Sequence, residues 1–326
     1  MVATSWFPIN VYKLSFGKSD SLANIIKSIL EEEKVELNLK STEKEVFEII
    51  TNAFQQENKS IKREIKTLSI NVPFRFLTPF FRSELSGIKK DHQRHLKIVA
   101  EAKQQYTSSK TPPIYCFDKK ENQDHIIIHP DWMAYFKKHN TILKDFAHWN
   151  LLNFLQKRNP NIPNIASKLF PPPKRASLTT ARKFWDLAYS ESPDLSHCIF
   201  SKKLLSKKSY AIDHFLPWSF VAHDQLWNLL PINASVNSSK SNKLPDLNQY
   251  FSQFAHQHYS AFQIAFEKEQ RNWLEDYILL FNRNAESIAY MQEEQFAGLL
   301  LGVISPLEQI AGNAGFGGGW TWEEPV

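Results

Sequence analysis

Between Tyr210 and Pro245 the chain reads YAIDHFLPWSFVAHDQLWNLLPINASVNSSKSNKLP, and no other segment restricts its fold as tightly. Ser209 to His214 has the character of a short strand whose end presents Asp213 and His214. An excursion of fourteen residues follows, turning at Pro217. A second short strand, Leu229 to Ile232, leads into a helix beginning near Asn233, whose side chain suits an N-cap. Asn237 falls on the first turns of that helix. This strand–loop–strand–helix order brings Asp213, His214 and Asn237 together over one hairpin, with no long-range assembly.

Those residue types suit phosphodiester hydrolysis. The reaction needs an activated water, charge neutralisation on the phosphate and help for the leaving oxygen; a divalent cation held by few protein ligands meets the last two needs. Asp213 offers a carboxylate oxygen and Asn237 an amide oxygen, hard ligands suited to Mg²⁺ or Mn²⁺. His214, whose ordinary pKa lies near neutrality, is placed to take a proton from the attacking water as general base. Asn228 sits where the loop rejoins the second strand and can tie the loop backbone to the active-site strand. Lys240, one helical turn after Asn237, is a candidate phosphate contact, and Lys243 a weaker one.

Taken together, Asp213, His214, Pro217, Asn228, Asn237 and Lys240 resemble the HNH, or ββα-metal, endonuclease motif. Their spacing is similar to that of the HNH domain in RNA-guided CRISPR effector nucleases and of many bacterial HNH restriction and defence nucleases. The resemblance covers roughly Leu195 to Leu247. It implies metal binding by Asp213 and Asn237, a general-base role for His214, a structural role for Asn228, and DNA as partner. The implied function is a metal-dependent HNH endonuclease that hydrolyses DNA phosphodiester bonds in bacterial restriction or anti-phage defence. A nuclease subunit inert outside a multi-protein complex, and a non-catalytic DNA-binding module, are the alternatives. A nuclease of this kind endangers its host, so regulation by sequence recognition, a protein partner or an activating event is expected; since one HNH site cuts one strand, duplex cleavage calls for a homodimer or repeated nicking.

One departure from the family bears on folding. Many stand-alone HNH proteins carry Cys-x-x-Cys knuckles that bind structural zinc. The corresponding stretch here is His197-Cys198-Ile199-Phe200-Ser201-Lys202, with Ser where the second Cys would stand. Cys116 and Cys198 are the only cysteines, so no structural zinc and no disulfide framework are expected. Packing from flanking helices should take the zinc's place.

The rest of the chain reads as mostly helical, giving an α+β fold in which helices flank the ββα module. Asp20 to Glu33 has helical apolar spacing, and Thr42 with Glu45 forms a capping box before Val46, Phe47, Ile49, Ile50 and Phe54. A break follows at Asn71-Val72-Pro73, then PFRFLTPFFR, whose Phe residues read as core ahead of a base-stacking surface. Ile114–Phe117 and His125–His129 predict a hairpin, with Cys116 as a small buried hydrophobe. One long helix is expected from Asp131 to Arg158, with Trp132, Phe136, Ile142, Phe146, Trp149, Leu152 and Phe154 on its apolar face. Ser177 caps a further helix through Leu187, and another is expected from Leu247 to Phe281. The ending GNAGFGGGWTWEEPV has the composition of a flexible tail. The expected organisation is therefore a helical recognition or partner domain with a short hairpin (1–160), a Pro-rich basic linker (161–176), the HNH nuclease domain (177–290) and a C-terminal segment with a Gly-rich tail (291–326).

Charge adds an asymmetry. The formal net charge is +5, but residues 251–326 carry three Lys or Arg against ten Asp or Glu, leaving +12 on residues 1–250. A basic front bearing the motif favours the approach of a polyanion such as DNA. The N-terminal stretch has no basic region followed by an apolar core, and the apolar run around residues 296–307 is too short to span a bilayer. A cytoplasmic protein without membrane contact is expected. Among the histidines, His92 and His95 have a helical spacing that could hold a metal, though a solvated face is favoured; His256 and His258 read as exposed, and for His223, in the excursion, a DNA contact is the less favoured reading.

Overall fold

The computed structural model describes residues 2–17, 21–33, 41–55, 59–120, 123–170, 177–206 and 210–324. Expectations resting on Asp20 and Ser209, and on the side chain of Phe54, lie outside the described residues. The chain forms two compact units, residues 1–6 with 17–154 and residues 7–16 with 155–326.

In the first unit, α1 (Val2–Trp6), α2 (Leu22–Glu33), α3 (Glu43–Gln55) and α4 (Lys59–Ser69) pack together. Leu22, Ile25, Ile26 and Ile29 recur on one face of α2 and are buried with Trp6 and Val46. Thr42 and Glu45 close the expected capping box, each side chain accepting from the other's main-chain N–H, at 2.7 Å and 3.2 Å. The expected break falls between α4 and α5 (Val72–Leu77), where Asn71 starts the new helix and Pro73 sits in its first turn. Leu77 and Phe81 enter a core with Leu85 of the following turn, Ile98 and Ala102 of α6 (Asp91–Ser108), and Tyr115 and Cys116 of strand β1 (Tyr115–Lys120). Strand β1 pairs antiparallel with β2 (Gln123–Ile128).

The single helix expected from Asp131 to Arg158 is two helices, α7 (Pro130–Lys138) and α8 (Asn140–Arg158). His139, Asn140 and Thr141 are weak helix formers at the junction. Its supposed apolar face is also not buried: Ile142 and Phe146 are 68% exposed and Trp149 62%.

The second unit holds the motif. Short α9 (Ile165–Leu169) and α10 (Thr179–Glu191) precede the β3–β4 hairpin (Tyr210–His214 with Leu229–Asn233). The hairpin is antiparallel, with Asp213 opposite Leu230 and His214 opposite Leu229. Within the excursion lies α11 (Trp218–Val221), and after β4 comes α12 (Ala234–Lys240). Helices α13 (Leu247–Glu267), α14 (Arg271–Phe281), α15 (Ala285–Ala289) and α16 (Glu293–Ala314) follow, and α13 packs on both α10 and α16.

Three expectations change here. The stretch read as a linker is packed over residues 161–170, with Ile162, Ile165 and Lys168 buried; 171–176 lie outside the described residues. The helix expected over 247–281 breaks at Lys268–Gln270, where Glu269 takes a left-handed φ of 57°. The Gly-rich ending is not a loose tail. Trp320 bridges in parallel to Pro245, donating to Leu244 O at 2.9 Å, while Leu244 N–H donates to Gly317 O at 2.7 Å. Phe316 packs on Phe220 and Trp320 on Phe200, so aromatic anchors outweigh glycine freedom. No described helix is long and apolar enough to cross a membrane.

Candidate active site

Strand β3 delivers Asp213 and His214 to the mouth of the excursion, and adjacent strand positions send their side chains to opposite faces. The excursion is closed by Asn228, which is fully buried. Its Oδ1 accepts from Leu216 N–H at 2.8 Å, its Nδ2 donates to Leu216 O at 2.9 Å, and its own carbonyl accepts from Phe215 N–H at 2.8 Å. The side chain thus satisfies both main-chain groups of Leu216 across the loop mouth, where unpaired groups would be costly.

Lys240, for which the sequence suggested a phosphate contact, is turned inward and fully buried. Its ammonium donates to His214 O at 2.7 Å and stands 3.0 Å from Asp213 Oδ2. The reach follows from its place on α12, since a buried ammonium requires a carboxylate and a carbonyl close by. Asp213 Oδ2 is itself buried and, despite the ion pair, receives no hydrogen bond of proper geometry. Asn237 lies one turn before Lys240 on the same helix, half-buried, and its amide has no hydrogen-bond partner among the described residues. A buried carboxylate oxygen without a donor and an unengaged amide oxygen are the kinds of group a hard cation takes. Among the described residues no three His, Cys, Asp or Glu cluster as a metal site, so such a cation would draw on Asn237 or water as well.

The imidazole of His214 is almost completely buried, and its Nε2 lies 2.9 Å from Asp224 Oδ1. Asp224 was not singled out from the sequence. It sits in the excursion ten residues after His214, and no periodicity marks it. The neighbouring His223 is turned into the excursion. Burial pushes its pKa down to about 4, with His214 and Lys168 adding to the effect and Asp224 opposing it. It is therefore neutral near pH 7, with Nδ1 accepting from Gln225 N–H at 3.3 Å and its ring 5.2 Å from Trp227.

Surrounding elements hold the excursion from several sides. Asn164 donates to Val221 O at 2.8 Å, Asp276 of α14 accepts from Leu226 N–H at 2.7 Å, and Trp185 of α10 donates to Leu229 O at 3.0 Å. Lys168 is buried nearby, its Nζ donating to Pro163 O at 2.6 Å and lying 5.5 Å from the Phe220 ring centre. Desolvation drops its pKa to about 7.

The turn at residues 196–205 occupies the place of a Cys-x-x-Cys knuckle. Gln257 of α13 donates to Leu195 O at 3.0 Å and His197 O at 2.7 Å, and Cys198 is buried as a free thiol. Phe200 packs between Phe215, Tyr250 and Trp320. Ser201, where a second Cys would stand, donates to Asn233 Oδ1 at 2.6 Å. Asn233 accordingly starts α12 without its side chain capping the helix. The other histidines stand apart from this group. His256 contacts Glu293 at 2.9 Å; His258, expected on an exposed face, is fully buried against Tyr277 OH at 2.6 Å.

Residues 197–246 match the family model described as HNH endonuclease. No curated protein and no solved structure matches the chain.

Proposed function

From the HNH endonuclease domain carried by residues 197–246, we propose that this protein is a metal-dependent endonuclease hydrolysing DNA phosphodiester bonds. The observation that supports the reading is the overlap of that match with the end of β3, where Lys240 joins Asp213 to the His214 carbonyl and Asn228 ties down the loop that follows. Asp213 and Asn237 would hold Mg²⁺ or Mn²⁺, which when bound polarises the scissile phosphate and stabilises the leaving oxygen. His214 accepts the proton of the attacking water. Asn228 fixes the loop that carries the site, and Lys240 holds Asp213 against the His214 carbonyl. The basic residues 1–250 favour DNA approach.

The proposed setting is restriction or antiviral defence, by analogy with the family. A second reading, a nuclease active only in a larger complex, is favoured by the exposed apolar residues Ile142, Phe146 and Trp149. Plasmid nicking with Mg²⁺ or Mn²⁺ tests the first: His214→Ala should abolish cleavage in a folded protein, and undiminished cleavage would refute the assignment. Cleavage that appears only with a regulatory partner, or only in a homodimer, would favour the second.

A further inference from the structure

We propose that Asp224 is a positioning residue that fixes which nitrogen of His214 works as the base. This rests on the endonuclease reading above and extends it to a residue outside the recognised motif set. An ionised carboxylate has no proton to give, so a ring nitrogen hydrogen-bonded to it must be the donor. With Nε2 at 2.9 Å from Asp224 Oδ1, the neutral imidazole carries its proton on Nε2 and presents Nδ1 bare. Nδ1 has no hydrogen-bond partner among the described residues and is not among their sealed, unsatisfied polar atoms. It is therefore the nitrogen open to a water.

Placement supports orientation as the role. His214 is rooted in β3, while Asp224 comes from the far side of the excursion, so their contact spans the loop mouth. Asp224 follows Ala222, a non-glycine residue in the left-handed region at φ 53°, which turns the chain after α11. Leu226 N–H, two residues further on, is held by Asp276. The carboxylate is thus fixed at both flanks and holds a ring that would otherwise rotate about its χ2. During the proposed step, the proton leaving water goes to Nδ1 while the Nε2 proton stays on Asp224's hydrogen bond. The resulting imidazolium then faces a carboxylate.

The test uses the full chain with Asp224→Asn and Asp224→Glu. An amide can turn its NH₂ toward Nε2 and reverse the tautomer, whereas a glutamate keeps an acceptor. Expected for Asp224→Asn is a kcat on nicked-plasmid formation lower by about 10²–10⁴-fold with KM and metal-free DNA binding within about twofold. Asp224→Glu should recover at least about tenfold of that loss. Imidazole ¹⁵N NMR of the metal-free wild type should find Nε2 protonated and Nδ1 not, with the pattern changed in Asp224→Asn.

Wild-type kcat in Asp224→Asn, or a loss lying entirely in KM or DNA binding, overturns the proposal. So does a wild-type His214 protonated on Nδ1, which decides the matter even if Asp224→Asn does not fold. If wild type shows the expected tautomer but cuts no DNA under any condition, the endonuclease reading fails and the Asp224–His214 pairing stands as structure alone.

Discussion

Lys240 and Asp213 meet at 3.0 Å with the lysine side chain entirely removed from solvent, and the same ammonium donates to the main chain of the next residue, His214. The sequence places these residues twenty-seven positions apart on a helix and a strand; the fold makes them one electrostatic unit. Removing the cation strands a nearly buried carboxylate. Lys240→Met should therefore destabilise the protein by about 3–5 kcal/mol in denaturant unfolding. Pairing it with Asp213→Leu should restore part of that loss, because the uncompensated charge is gone.

Asn228 replaces two main-chain partners with one side chain. Asn228→Ala leaves the N–H and C=O of Leu216 unpaired in the interior, and a loss of about 2–4 kcal/mol is expected in urea. Asn228→Asp can still accept from Leu216 N–H but cannot donate to its carbonyl, so it should cost at least as much.

Lys168 gives a pH signature. Its pKa falls from 10.5 to about 7 on folding, so between those values the unfolded chain binds more protons than the folded one. Stability should rise with pH across that window. Lys168→Met should flatten the rise and raise stability at and below pH 7, as read by thermal melts over that range.

Two histidines act at lower pH. Burial holds His223 near 4 and His258 near 3, against an ordinary 6.5. Both stay neutral in the folded state while the unfolded chain protonates, so stability should be lost as pH falls from 6.5 toward 4. The His223→Gln, His258→Gln double variant should show a shallower acid transition when unfolding midpoints are compared at pH 7 and pH 4.5.

The C-terminal tail is an anchor. Trp320 is 7% exposed and packs on Phe200 and Tyr250. Trp320→Ala should cost about 3–5 kcal/mol in denaturant unfolding. Gly317→Ala, which meets nothing within 4 Å of the added carbon, should be close to neutral.

What could be read from the sequence was what short-range chemistry determines. The β3–β4 hairpin, the loop it encloses and the capping box at Thr42 depend on neighbours within a few dozen residues, and pattern finds them. Asp224 escaped because a carboxylate in an irregular loop looks alike whether it faces water or an imidazole. The tail and the 161–170 stretch misled by composition: glycine, proline and asparagine speak of backbone freedom, whereas Trp320 and Ile165 decide the outcome by packing. On α8 the opposite holds: an apolar run predicts core, yet Phe146 and Trp149 are exposed.

The pairing of Trp320 with Pro245 also has a meaning in time. Leu244 and Asp246 close the motif segment, yet Leu244 N–H donates to Gly317 O and Asp246 N–H to Trp320 O. Those acceptors are synthesised about 70 residues later, which at ~5–20 residues per second is several seconds of translation. Until then the N–H groups of Leu244 and Asp246 lack these acceptors. On the ribosome, the site must wait for its own distant fastening.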